Sequence, residues 1–213
     1  MSEAGKVKNI IIDLGFVIYN IDYNLTLNEF RKLGVEDIDS LYSKVGQSSF
    51  FDQFERGELS VAGFYNEMRS FMPEEITDMQ IKKAWNAMLQ NLPMDRVELL
   101  EYVATRYRLF LLSNTNELHF NEVKNTIELY CGLDRWEEIF EKTYYSHLLG
   151  MRKPNADIYK LVLEQNDLDA SETMFIDDLQ QHLDGANSVG ISTQLVDEEK
   201  SIAEIFSRDG RLV

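Results

Sequence analysis

Five polar residues in this chain stand where a strand would end or a loop would turn, and their types suit phosphoryl or acyl transfer. Asp13 closes the run VKNIII, Ser113 follows YRLFLL, and the acidic pair Asp177-Asp178 follows ETMFI. Lys153 lies in GMRKP, ahead of a helical pattern. A carboxylate can attack an electrophilic centre, and a hydroxyl with an ammonium can hold an anion. Two adjacent carboxylates repel unless a cation lies between them, and oxygen donors suit a hard ion such as Mg²⁺. Each residue also has a plainer role open to it. Asp13 fits a turn and Ser113 a helix cap. Lys153 fits a solvated surface, and the acidic pair fits the start of a helix near Leu179.

For these residues to act together, the fold must bring them to one edge. Val7 to Ile12 is a short β-branched run of the kind found in buried parallel strands. Tyr107–Leu112, Met174–Ile176 and Ser192–Val196 repeat the pattern. Helical patterns lie between them, among them Pro154–Gln165 with its proline placed in the first turn. This alternation from Pro93 to Val213 predicts a doubly wound, Rossmann-like α/β fold with a parallel sheet. In such sheets ligands bind beyond the carboxyl ends of the strands, where strand order reverses.

The stretch from about Asn20 to Leu92 has a different pattern. Asp22, Ser60 and Thr77 are helix-start signals followed by amphipathic runs, with no strand between them. The pattern predicts an all-helical insertion after the first strand, with residues 19–92 as a cap domain and 1–18 plus 93–213 as the α/β core domain. Phe50, Phe51, Phe54, Phe64, Tyr65, Met68, Trp85 and Met88 would form the core of that cap.

Composition limits the partners. A net charge of −16 repels nucleic-acid phosphates and anionic lipid, so neither is expected as a partner. The same charge would repel a small phosphate ester unless a lysine and a bound cation reverse the field in one pocket. A single cysteine, Cys131, excludes a disulfide within the chain and reads as a small buried apolar residue. The polar start, Met1 to Lys8, lacks the apolar segment of a signal peptide, and no apolar run is long enough to span a bilayer. The expected location is cytoplasmic. Oligomeric state is not legible.

The order DLG, then LSN, then RKP, then IDD resembles the four sequence motifs of the haloacid dehalogenase superfamily, and the helical insertion resembles its small helical cap. The segments DLGFVIYNID, ERGELS, LSNTNELH, GMRKPNADIY and GANSVGI are most similar to the bacterial α-D-glucose-1-phosphate phosphatase branch. The resemblance implies a phosphatase acting on a small phosphate ester, a sugar phosphate such as glucose 1-phosphate. It implies Asp13 as nucleophile, Ser113 and the Asn114 N–H around the phosphoryl oxygens, and Lys153 as counter-charge. It also implies Mg²⁺ held by Asp13, Asp178 and the Gly15 carbonyl. Tyr19, Tyr23, Glu55 and Arg56, near the cap entrance or in ERGELS, are candidates for substrate contact.

Two positions depart from the superfamily pattern. Gly15 stands where a general-acid aspartate usually lies, and His182 where an Asp or Asn orders a metal-bound water. Histidine could serve that water or be an exposed helix residue, and glycine could simply permit a turn. Two competing readings follow: a 2-haloacid dehalogenase, which shares the nucleophile without metal, and a catalytically weak member that binds a phosphometabolite or a protein.

Overall fold

The computed structural model describes residues 7–35, 49–197 and 200–213. Five parallel strands form one sheet in the order β3-β2-β1-β4-β5. They are β1 (Asn9–Ile12), β2 (Arg108–Ser113), β3 (Lys142–Tyr145), β4 (Thr173–Asp177) and β5 (Ser192–Leu195). The chain builds outward from β1 through β2 to β3, then crosses to the other side of β1 for β4 and β5. Strand order therefore reverses at β1 and β4, whose carboxyl ends carry Asp13 and Asp177.

Strand residues divide by period two between two helical layers, as a pleated backbone requires. Ile10 and Ile12 of β1, with Leu109 and Leu111 of β2, pack on one face against Val97, Leu100 and Val103. Ile11, Phe110 and Leu112 pack on the other face against Ile158, Tyr159 and Val162. This is the doubly wound core expected from the apolar runs. The strand β3 escapes the sequence reading because only Tyr144 of its four residues is buried. The helix expected from Pro154 begins instead at Ala156 with Asn155 as its N-cap. Pro154 precedes it, and its carbonyl lies so near Gly185 that a Cβ there would sit 2.3 Å away.

Between β1 and β2 the described residues form α1 (Tyr23–Lys32), α2 (Ser49–Glu55), α3 (Val61–Arg69), α4 (Asp78–Asn86) and α5 (Met94–Ala104). The first four lie within the expected cap, and α5 belongs to the sheet layer. Asp22, Ser60 and Thr77 are the N-caps of α1, α3 and α4, each accepting a backbone N–H with its side chain. Phe30, Phe50, Phe54, Phe64, Tyr65, Met68 and Trp85 form a separate apolar cluster. The Phe54 and Phe64 rings stack with centroids 4.3 Å apart. Phe64 is fully buried and meets five aromatic neighbours. Phe64→Ala should therefore cost about 3–5 kcal/mol and lower Tm by roughly 10 °C. A loss under about 1 kcal/mol in thermal unfolding would show that this cluster does not hold the helices together.

After β2 come α6 (Glu117–Tyr130) and α7 (Leu133–Ile139). Beyond β3 lie α8 (Ser146–Leu149), α9 (Ala156–Gln165), α10 (Gln180–Asn187) and α11 (Ile202–Ile205). Cys131 ends α6 half-buried rather than fully buried, packed at the margin of the sheet core.

Candidate active site

Asp13 continues the β1 ladder by one bond, its N–H donating to the Ile176 carbonyl at 2.9 Å, and its carboxylate opens at the sheet edge. Lys153 reaches that edge from the loop before α9. Its Nζ donates at 2.6 Å to Asp13 Oδ1 and at 2.6 Å to Asp177 Oδ2, and no part of the residue is exposed. The solvated-surface role for Lys153 is thereby excluded.

Asn114 sets the position of that loop. Its amide donates to the Lys153 carbonyl at 2.9 Å and accepts the Lys153 N–H at 2.9 Å. Ser146, which the sequence reading missed, does the same for the next residue. Its hydroxyl accepts the Thr115 N–H and donates to the Thr115 carbonyl. Ser113 is buried at the end of β2 and makes one long contact, 3.4 Å, to the Asn114 carbonyl. It caps no helix; Asn116 caps α6 instead.

The members of the acidic pair differ in environment. Asp177 is fully buried and accepts from Lys153, from His182 Nδ1 at 2.9 Å and from the Leu179 N–H at 2.9 Å. Burial opposes its charge, but the Lys153 ammonium and the His182 bond hold its carboxyl below the usual range. Asp178 is half-buried, and burial plus the Asp177 charge push it up to about 6. Burial, with Asp177 and Asp178 nearby, also raises Asp13 to about 7 against the pull of Lys153. His182 is neither exposed nor turned to Asp178; it is buried as a partner of Asp177.

The donor set fits a hard divalent cation. Carboxylate oxygens of Asp13, Asp177 and Asp178 lie within 4.8 Å of one another. The single ammonium among them is committed to Asp13 and Asp177, so Asp178 and the second Asp13 oxygen face an excess of negative charge. A cation with oxygen ligands relieves that excess. The Gly15 carbonyl accepts one bond, from the Val17 N–H at 2.6 Å, and retains a second lone pair. The left-handed backbone belongs to the next residue, Phe16, with φ 58°, so the turn does not explain the glycine.

Asp13, Ser113, Lys153 and Asp178 line a crevice of about 220 Å³ together with Tyr19, Tyr23, Glu55, His119 and Arg152. It adjoins a second cavity of about 240 Å³, walled by Ile21, Phe51, Trp85 and Met88 and by Asp52, Glu55 and Arg152. A wider, open concavity of about 980 Å³ over α1 and α4 contains none of the clustered carboxylates. Tyr19 is buried and its hydroxyl donates to Thr126 at 3.2 Å, so it offers the crevice a ring. Arg56 stands outside, paired with Glu58 at 3.0 Å. Consecutive residues at a helix end project ~100° apart, and Glu55 takes the inward direction. Glu55 pairs there with Arg152, a residue the sequence reading passed over although it adjoins Lys153.

A buried carboxylate at the switch point of a doubly wound sheet, neutralised by a lysine and flanked by a further acid, defines a hydrolase-type centre. Residues 24–196 match the haloacid dehalogenase-like hydrolase family, and the chain belongs to it. It is 28% identical over 195 residues to the D-ribitol-5-phosphate phosphatase of Bacteroides thetaiotaomicron, covering 88% of this chain and 90% of that one. It resembles a haloacid dehalogenase family enzyme of the same organism, whose wild-type crystal structure contains magnesium and inorganic phosphate. The TM-score is 0.84 at 34% identity, over 94% of this chain and 99% of that one. A hydrolase of the family from Porphyromonas gingivalis superposes with a TM-score of 0.80 at 28% identity, over 92% and 93% of the two chains. Among the described residues no helix is long and apolar enough to cross a membrane.

Proposed function

We propose that this hydrolase is a Mg²⁺-dependent phosphatase that cleaves a small polyhydroxylated phosphate monoester through an aspartyl-phosphate on Asp13. The observation that carries this is the Asp13–Lys153 pair, 2.6 Å apart and buried, beside Asp178, whose carboxyl is pushed up to about 6 by burial and the Asp177 charge. The relatives named for a ribitol phosphate and for magnesium with phosphate support the same chemistry. A sugar or sugar-alcohol phosphate is the substrate class, with glucose 1-phosphate among those to test.

In this reading the Asp13 carboxylate attacks phosphorus, and the alcohol leaves from the opposite side. Ser113 and the Asn114 N–H hold equatorial phosphoryl oxygens. Lys153 orients Asp13 and offsets charge on the transferring group. Asp13, Asp178 and the Gly15 carbonyl would hold Mg²⁺, which supplies the positive charge that offsets the phosphoryl oxygens in an otherwise acidic chain. Residues 19–92 would act as the cap that excludes water and selects the leaving group, over a core of residues 1–18 and 93–213. A haloacid dehalogenase has less support, because Asp178 would repel the carboxylate of its substrate.

The test is phosphate release from a panel of sugar, sugar-alcohol and aryl phosphates, with Mg²⁺ and with EDTA. Mg²⁺-dependent turnover with preference for polyhydroxylated esters is expected. Lack of turnover on every ester, or undiminished turnover in EDTA, would overturn it.

Metal binding should also depend on pH in a definite direction. Without metal, Asp13 and Asp178 hold protons in the folded state that the unfolded chain releases near pH 3.8. Metal-free stability therefore falls as pH rises from the unfolded value toward about 7, where Asp13 has ionised. Mg²⁺ reverses that loss. At a concentration of ~100 Kd it should add about 2.7 kcal/mol, or roughly 5–10 °C in Tm, at pH 8, and much less at pH 5.5. Equal shifts at both pH values would place the metal elsewhere.

A further inference from the structure

Cleaving the ester of an alkyl alcohol expels an alkoxide unless a proton arrives with the bond breaking, and such help contributes ~10²–10⁴-fold. Position 15 is glycine and offers none. We infer that Glu55, brought into the crevice by the cap, is the general acid that protonates the leaving oxygen and the general base that then activates water. This assignment rests on the phosphatase reading above.

Of the other protonatable groups lining the crevice, Asp13 is the attacking carboxylate, Asp178 is assigned above to the metal, and four more are held by hydrogen bonds. Lys153 is shared by Asp13 and Asp177, and His182 Nδ1 is held by Asp177. The Tyr19 hydroxyl donates to Thr126. His119 Nε2 donates to the Trp85 carbonyl at 3.1 Å, and its Nδ1 accepts from the Asn116 amide at 3.2 Å. Burial lowers its pKa to about 4, so near neutral pH its one proton is bound in that bond. Tyr23 is a phenol with half its surface in solvent, a weak acid for this purpose.

Glu55 differs from all of these. It lines both the cavity that holds Asp13 and the adjoining one toward the cap, so it stands between the phosphoryl site and the room for an alcohol. Two residues on, Gly57 (φ 67°) lies so close to the core that a Cβ there would be 2.1 Å from the His147 carbonyl. That contact seats the end of α2 on the sheet domain. Arg152 Nη2 is 2.8 Å from Glu55 Oε2 in an ion pair, and no other side chain donates to that buried oxygen. Arg152 Nε is buried without a partner. The charged groups facing Glu55 are Arg152 and Lys153 from the loop before α9 and Asp52 from its own helix. Burial raises the Glu55 pKa, Asp52 adds to the rise, and Arg152 and Lys153 oppose it. A phosphate dianion in the crevice would raise it further.

The proton balance closes over one turnover. As an Asp13 oxygen bonds to phosphorus and the ester P–O bond breaks, the departing oxygen takes the Glu55 proton and leaves as a neutral alcohol. Glu55, now a carboxylate, removes a proton from water. The resulting hydroxide attacks phosphorus, the P–O bond to Asp13 breaks, inorganic phosphate departs, and Glu55 is protonated again.

The test compares kcat/KM, which reports the first half-reaction, for p-nitrophenyl phosphate and for ribitol and glucose phosphates in wild type, Glu55→Gln and Arg152→Gln. The nitrophenolate leaves unaided. Glu55→Gln should keep aryl phosphate within a few-fold of wild type and lose ~10²–10⁴-fold on the alkyl esters. Arg152→Gln, which breaks the same ion pair and leaves the acid, should lower all esters by a similar factor. Glu55→Asp, which retains a carboxyl, should recover part of the loss and covers the case in which the glutamine variant misfolds. A uniform loss across leaving groups in Glu55→Gln, or no loss, would overturn the assignment and leave Glu55 as a clasp between cap and core. Wild-type inactivity on every ester would instead refute the phosphatase reading itself.

Discussion

Lys153→Met should destabilise the protein by about 3–5 kcal/mol near neutral pH, the cost of removing one partner from a buried ion pair, and should abolish turnover. The ammonium is fully buried and is the cation that Asp13 and Asp177 share. Methionine fills similar space, so the loss would be electrostatic. Left alone, both carboxylates would be pushed up the pH scale, Asp177 from below its usual range and Asp13 from above it. The folded state would then hold protons that the unfolded chain gives up. Stability of the variant should consequently fall as pH rises, with the deficit larger at pH 8 than at pH 5. Denaturant unfolding at both values would measure it. A deficit independent of pH would mean that Lys153 acts through packing on the Phe175 ring, which it covers at 5.3 Å.

Asp13→Asn has the opposite signature in stability and a comparable one in rate. It removes the proposed nucleophile and should lower kcat by about 10⁴–10⁶-fold, as loss of a nucleophile does elsewhere. It also removes one negative charge from a cluster with too few cations, so the metal-free variant should melt at the same temperature as wild type or higher. Loss of activity together with loss of stability would point to a folding defect.

Much of this site could be read before the structure because its residues terminate apolar runs. Ile10–Ile12, Leu109–Leu112 and Phe175–Ile176, within VKNIII, YRLFLL and ETMFI, are buried, and a polar residue at the end of such a run must emerge at the sheet edge. The starts of α1, α3 and α4 were legible for a related reason: Asp22, Ser60 and Thr77 mark helix starts by local chemistry. The positions that escaped depend on contacts far apart in sequence. Tyr144 alone could not announce β3. Arg152 and Glu55 meet across 97 residues, and nothing in ERGELS says that the glutamate turns inward while the arginine beside it pairs with Glu58. His182 reads as a surface or metal-side residue from its spacing to Asp178, yet its ring is held by Asp177, one residue earlier.

The covalent step on Asp13 is open to direct measurement. Wild type mixed with Mg²⁺ and a preferred sugar-alcohol phosphate, quenched in acid within one turnover, can be digested and weighed. The peptide bearing Asp13 should carry one phosphoryl group in wild type and none in Asp13→Asn. Rapid turnover with an unmodified Asp13 peptide, or with the phosphoryl group on another residue, would contradict the nucleophilic role of Asp13.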